Sequence, residues 1–221
     1  MNRQPAGLAQ KTIYLIRHGE TDYNRRGVVQ GSGVDSDLNE MGQAQAQAFF
    51  RAYQSVPFQK IYISGLRRTH QTAGPFIDLD IPYEKLTGLN EISWGVMEGK
   101  VPGSTDNEYY RSLMEAWSAG NTALPTDGGE SPAQVEARQR VALDVILSYP
   151  DESPVLVVMH GRAMRILLCW LTNRPLAQMD HFEHSNLCLY KLRYDSDTRA
   201  FDIELSNDTA HLLSLVMAVN Q

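Results

Sequence analysis

Three short apolar runs limit how this chain can fold. Thr12–Ile16, Lys60–Ile63 and Val155–Met159 are β-branched or aromatic along most of their length and lack polar alternation. Runs of this length that are apolar on both faces read as strands buried on both sides, which is how a parallel sheet covered by helices appears in sequence. Each run is followed by a helical pattern. The first spans Asn39–Val56, with Ala44, Ala48, Phe49 and Ala52 at three- and four-residue spacings, the second about Leu66–Ile77, and the third ends near Leu171. Ile81–Lys85 is a weaker strand. Ser131-Pro132 starts another helix, whose apolar face is read as Val135, Val141, Ala142, Val145, Ile146 and Tyr149. Leu187–Tyr194 and Phe201–Ser206 alternate as a terminal hairpin or edge pair. Residues 1–11 read as a flexible tail and 12–221 as one domain. Within it, Gly88–Ser131 is rich in Gly, Pro, Tyr and Trp, with one helix near Asp106–Ser118 and a lid-like segment over about 95–130. The expected fold class is α/β, with a mostly parallel central sheet covered on both faces.

Charge and cysteines exclude several functions. Twenty Lys and Arg against 26 Asp and Glu give a net charge of −6 over 221 residues, so no footprint for nucleic acid or an anionic membrane is expected. The longest apolar segment, Ala163–Leu171, contains Arg165 and is about half a membrane span. Cys169 and Cys188 form no Cys-x-x-Cys motif, and Met1–Lys11 has no apolar stretch of signal-peptide length. A soluble, cytoplasmic chain is expected. His181-Phe182-Glu183-His184 lacks both a cysteine and an i, i+4 histidine pair bracketing a glutamate, so no metal site is read there.

The chemistry is concentrated where the three buried strands end. Arg17-His18-Gly19, Ser64 with Arg67 and Arg68 just beyond, and His160-Gly161-Arg162 follow the three runs directly. Ligands of open α/β sheets sit beyond the carboxyl ends of the strands. Side-by-side strands would therefore gather two histidines and at least two arginines into a cationic pocket on an acidic protein. Guanidinium forks match phosphate oxygens, and the helices after Ser64 and His160 are expected to aim their N-termini at the same rim. A phosphoryl group is the natural ligand. A strand-end histidine with one unprotonated nitrogen can accept it, neighbouring arginines stabilise the equatorial oxygens, and the second histidine can donate to them. Glu91, in Leu89-Asn90-Glu91, is the candidate general acid, with Glu98 a competitor; Arg67 reads as a solvated residue at a helix start.

Together these residues resemble the histidine phosphatase superfamily, the phosphoglycerate-mutase-like proteins. Ile16-Arg17-His18-Gly19-Glu20-Thr21-Asp22-Tyr23-Asn24 is similar to the family signature. The likeness continues through Gln30-Gly31, Leu38, Gly42, Gln45-Ala46, Ser64 to Thr69, Gln71-Thr72-Ala73, Leu89-x-Glu91, Gly95, Glu98-Gly99, Gly129-Glu130-Ser131 and His160-Gly161. The resemblance implies a three-layer α/β/α sandwich, His18 as the phosphorylated nucleophile, and Arg17, Arg68 and His160 as phosphate holders. It further implies Asn24 as an additional donor, Glu91 as proton donor, and chemistry without metal or other cofactor. Thr21, Gln30, Gly31 and Gly161 stand in the matching motifs and are expected on the substrate-binding side. The departures are Gly65 where the family has an acidic residue, Gly161-Arg162 for a glycine pair, and one extra residue after Gly31. Glu91-Ile92-Ser93-Trp94 replaces the Glu-Arg-His-Tyr of the mutases, which tips the expectation to a phosphatase of a small phosphorylated metabolite. A mutase, or a silent phospholigand-binding module, is the alternative; a homodimer is left open. Arg162, with a lid residue among Lys100, Tyr109, Tyr110, Arg111 and Trp117, is expected to contact the non-phosphoryl part of the substrate.

Overall fold

The computed structural model describes the backbone of residues 10–101 and 104–215, and their side chains except for 104–107. Six strands form one sheet: β1 (Gln10–Arg17), β2 (Lys60–Ile63), β3 (Tyr83–Lys85), β4 (Val155–Met159), β5 (Leu189–Asp195) and β6 (Ala200–Asp208), in the order β3-β2-β4-β1-β5-β6. β1, β4, β2 and β3 run parallel, and β5 and β6 extend the sheet antiparallel beyond β1. The two central strands are apolar on both faces because both faces are covered. Ile13, Leu15, Val155, Val157 and Met159 pack into one core, Ile16, Leu156 and Val158 into the other. The helices divide accordingly. Among them α2 (Glu40–Tyr53) and α3 (Arg67–Ile77) cover the second face; α4 (Ser104–Ser118), α5 (Pro132–Leu147) and α6 (Gly161–Leu171) cover the first. The result is the three-layer α/β/α sandwich. The four-residue α1 (Asp22–Arg25) follows β1. Among the described residues, no helix is long and apolar enough to cross a membrane.

Three expectations are corrected. β1 begins at Gln10 rather than Thr12, so the tail does not reach residue 11: the buried Lys11 donates from Nζ to the Tyr149 carbonyl at 2.7 Å. Residues 1–9 lie outside the described ones. On α5, Val141 is exposed and Tyr149, exposed too, lies beyond the helix end at Leu147; the buried face includes Val135, Gln139, Ala142, Leu143 and Ile146. Gln139 holds that face inside because its amide is satisfied, donating to the Ala163 carbonyl at 2.6 Å and accepting from Trp170 Nε1 at 3.3 Å. The lid-like segment is not an open loop. Leu113 and Trp117 of α4 are buried in the first core, and Trp117 Nε1 donates to the Leu124 carbonyl at 2.8 Å.

Strand register places the site. Arg17 pairs with Met159 and Ile63 with Val158, so His18, Ser64 and His160 leave the sheet along one rim. From there β1 connects through α2 on one face toward β2, and β4 through α6 on the other toward β5. Their divergence opens the crevice in which ligands of this architecture bind. Close backbone approach seats α2 beside it: a Cβ on Gly19 would stand 2.6 Å from the Gly42 carbonyl oxygen, and one on Gly42 would collide with the Glu20 carbonyl oxygen.

Candidate active site

His18 and His160 face each other at the rim, ring centroids 5.1 Å apart, and both are buried. His18 Nδ1 donates to the Gly19 carbonyl at 2.7 Å, which fixes the tautomer and leaves the Nε2 lone pair free. Burial, followed by the positive charges of Arg68 and Arg17, holds the His18 pKa well below the usual histidine range. His18 is therefore neutral at neutral pH. Burial and Arg68 lower His160 in the same way. Arg68 Nε donates to His160 Nδ1 at 3.2 Å, so the proton of His160 lies on Nε2 and is donated to Ser64 Oγ at 2.8 Å. Both ring nitrogens of His160 are thus engaged by protein groups.

Arg68 is fully buried; beyond the His160 contact it donates to the Val34 carbonyl at 2.7 Å and the Gly31 carbonyl at 3.2 Å. With its amide turned to satisfy its neighbours, Gln30 accepts from Arg68 Nη1 at 3.1 Å and donates to Thr21 Oγ1 at 2.8 Å. Gln30, Gly31 and Thr21 therefore shape the Arg68 side of the site. Thr21 caps α1 and takes the Asn24 backbone N–H. Asn24 Oδ1 accepts from Thr21 and Asn186, while no bond from its Nδ2 is found among the described residues. Arg17 Nη1 donates to the His184 carbonyl at 2.7 Å, and its Nε is buried without a partner among the described residues. Burial pulls Arg68 down to about 10 and lowers Arg17 too, with Glu91 the largest opposing charge for both.

Glu91 is buried, and its carboxylate caps α6. Oε1 accepts from Ile92 N at 2.9 Å and Ala163 N at 2.8 Å, and Oε2 from Arg162 N at 3.1 Å. The helix N-termini expected to be open to a ligand are thus partly occupied. Glu91 takes two N–H groups of α6, and Asp35 takes the Arg67 N–H of α3 at 2.7 Å. Arg67 is exposed, and its guanidinium pairs with Asp35 and Asp37. Glu98 faces Gly31 and Gly33 and accepts from Trp94 N at 2.8 Å, organising its own turn.

Several contributors carry no motif. Arg138 on α5 donates to the carbonyls of Gly88, Asn90 and Glu91 at 2.8, 2.9 and 3.0 Å and pairs with Glu130, so it sets the Glu91 loop. Asn186 Nδ2 donates to the His18 carbonyl at 3.0 Å and to Asn24 Oδ1 at 3.3 Å. His184 is part of the site and His181 is not: a Cβ on Gly161 would lie 3.1 Å from His184 Nε2 and 3.4 Å from Arg17 Nε, whereas His181 is exposed and bonded to the Gln178 carbonyl. Among the described residues, no group of three or more His, Cys, Asp or Glu is arranged to hold a metal. Of the segment expected to meet Arg162, Tyr110 comes within 3.4 Å; Tyr109 bonds the Asp127 N–H, Arg111 pairs with Glu115, and Lys100 is exposed.

A buried, neutral strand-end histidine between two arginines, on this sheet order, defines a class of phosphoryl-handling enzymes. The chain belongs to the histidine phosphatase superfamily, branch 1, whose pattern matches residues 13–209. It is 32% identical over 206 residues to a protein of Yersinia enterocolitica named probable phosphoglycerate mutase GpmB, covering 90% of this chain and 94% of that one. Among solved structures it is similar to Bacillus stearothermophilus YhfR, with TM-score 0.80, 26% identity, and coverage of 91% and 99% of the two chains. It also resembles a mycobacterial glucosyl-3-phosphoglycerate phosphatase, with TM-score 0.78, 25% identity, and coverage of 90% and 100%.

Proposed function

We propose that this protein hydrolyses phosphomonoesters of small metabolites through a phosphohistidine on His18. The observation that carries the reading is the free Nε2 lone pair of a neutral His18 whose Nδ1–H is anchored on Gly19, beside arginines with donors to spare. In the first step Nε2 attacks phosphorus, the ester P–O bond breaks, and the leaving alkoxide takes a proton from Glu91. Glu91 Oε2, with one N–H partner at 3.1 Å, is the oxygen proton donation would use. In the second step water attacks the phosphohistidine, Glu91 takes the water's proton, and inorganic phosphate leaves. Arg17 and Arg68 neutralise the equatorial oxygens throughout. His160 holds Arg68 in place and donates to those oxygens only if it releases Ser64.

The name of the Yersinia relative favours a second reading, a mutase that returns the phosphoryl group to substrate. Against it, Ile92-Ser93-Trp94 follows Glu91 with no basic side chain for a second phosphate, and Ser93 N is taken by Glu130 at 2.9 Å. The test is turnover of p-nitrophenyl phosphate and of 3-phosphoglycerate with and without 2,3-bisphosphoglycerate, with a denaturing quench at alkaline pH to keep phosphate on the protein. Hydrolysis with base-stable, acid-labile phosphate on His18 supports a phosphatase; isomerisation dependent on the bisphosphate makes it a mutase. His18→Ala should lower kcat by on the order of 10⁴-fold, and a loss under tenfold would overturn the mechanism.

A further inference from the structure

Far from the phosphoryl cradle the structure holds a groove of about 550 Å³ that the chemistry above does not use. It lies between the C-terminal half of α5, the last turn of α6 and the hairpin of β5 and β6, where the sheet extends past its helical cover. Strand register gives its distance from His18. Tyr194, in the groove, pairs with Lys11 of β1, six residues before Arg17, so about 20 Å of strand separates it from the rim. The volume is that of a small-molecule site.

Its walls are aromatic and held in place. Trp170 Nε1 donates to the Gln139 side-chain oxygen at 3.3 Å, and the Arg140 guanidinium lies 4.5 Å from the centre of the same ring. On the hairpin, Tyr194 and Phe201 stand opposite each other with ring centroids 4.7 Å apart. All three rings are half-buried, so each keeps a surface for a ligand. The polar groups around them carry both signs. Arg140 spends Nε and Nη2 on Glu136, at 2.9 and 2.5 Å, and no bond from its Nη1 is found among the described residues. Arg199 follows the hairpin turn that Asp195 closes by accepting from Asp197 N and Thr198 N, each at 2.9 Å. Neither the Arg199 guanidinium nor the Asp144 carboxylate has a partner among the described residues, and both are exposed.

We propose that this groove binds a purine nucleotide, with its base against the aromatic walls, its phosphate on Arg199 and Arg140, and the N–H edge of the base on Asp144. Three features of the lining select that chemistry together. Rings on two sides favour a flat aromatic ligand, and stacking of a base on an aromatic side chain is a strong contact. Guanidiniums with unspent donors favour an anion, a phosphate above all. An unpaired carboxylate one helical turn from Arg140 repels a simple anion but accepts from the amino group of a base. A bare phosphate or an uncharged aromatic molecule meets only part of that pattern. The site is independent of the reaction at His18.

The test is calorimetry with AMP on the whole chain carrying His18→Ala, so that no ester is turned over, in enough inorganic phosphate to fill the cradle. One AMP should bind per chain, about tenfold or more tighter than either adenosine or ribose 5-phosphate. Arg199→Gln should weaken AMP about tenfold, the loss of a charge-assisted contact, and leave adenosine unchanged. Asp144→Asn should weaken AMP and adenosine alike by several-fold. Tyr194→Leu should weaken both as well; because Tyr194 is half-buried, the two exposed positions carry the test if that variant fails to fold. No binding of AMP, ribose 5-phosphate binding as tightly as AMP, or an AMP affinity that neither Arg199→Gln nor Asp144→Asn changes would overturn the site.

Discussion

Glu91 has two jobs in this structure, and replacing it with glutamine separates them. The carboxylate accepts three backbone N–H groups, from Ile92, Ala163 and Arg162. A glutamine side chain keeps one acceptor oxygen and turns an NH₂ group toward whichever N–H the second oxygen held. One buried N–H is then unpaired, at about 1–3 kcal/mol. For a domain of this size that is roughly 2–12 °C in Tm, at about 2–4 °C per kcal/mol. The catalytic consequence depends on the leaving group. An alkyl phosphate expels an alkoxide that must be protonated, so loss of a general acid should lower kcat by roughly 10²–10⁴-fold. p-Nitrophenyl phosphate expels a stabilised phenolate and should lose less than about tenfold. The assay is steady-state kinetics of Glu91→Gln on both esters at a temperature well below its melting point. Equal losses on the two would refute proton donation and leave Glu91 as the cap of α6 and counter-charge of Arg17 and Arg68. An unchanged Tm would refute the capping geometry instead.

Three other outcomes follow from the same contacts. His18, His160 and His184 are all held below the ordinary histidine value, so the unfolded chain binds more protons and stability falls as pH drops below about 6.5. For His184, at about 3 in the folded protein, the loss is about 2 kcal/mol at pH 5, and denaturant melts at pH 7.5 and 5 that coincide would contradict it. Gly161→Ala places a methyl 3.0 Å from His184 Cδ2 and should raise KM for phosphate esters at least tenfold with little change in Tm; an unaltered KM would mean the His184–Arg17 wall is soft. Treatment with EDTA should leave turnover intact because arginines supply the charge neutralisation, and activity restored by one divalent metal would overturn that account.

What the sequence made legible was local. The buried strands could be read because each is apolar on both faces, and the residues beyond them because chemistry follows a strand end directly. Arg17, His18, Arg68 and His160 needed only the register of β1, β4 and β2 to meet. What stayed hidden is held from a distance by groups without a signature. The His184 carbonyl fixes Arg17, the Asn186 amide fixes the His18 carbonyl, and Arg138 fixes the Glu91 loop through three backbone oxygens. A carbonyl acceptor leaves no trace in residue identity. The α5 face differs from its apolar reading for a related reason: the buried glutamine Gln139 carries no apolar signal, while Val141 is apolar yet exposed and Tyr149 falls beyond the helix end.

The neighbouring arginines of α3 show how far identity alone can carry a functional assignment. Arg67 and Arg68 are adjacent in sequence and chemically the same, yet one helical step of about 100° separates their directions. Arg67 points out from the first turn, 58% exposed, and spends its donors on Asp35 and Asp37. Arg68 points inward and is fully buried, with donors on His160, Val34 and Gly31. The difference is set by where α3 starts: Leu66 is its N-cap residue and is buried, and Ser64 Oγ takes the Leu66 N–H at 3.1 Å. Shifting that start by one residue would put Arg67 where Arg68 stands and Arg68 where the buried Thr69 stands, so the contacts that Arg68 makes to His160, Val34 and Gly31 would be lost. Ser64 therefore sets both neighbours of His18 at once. It orients His160 through Nε2, and through the phase of α3 it decides which arginine reaches the cradle.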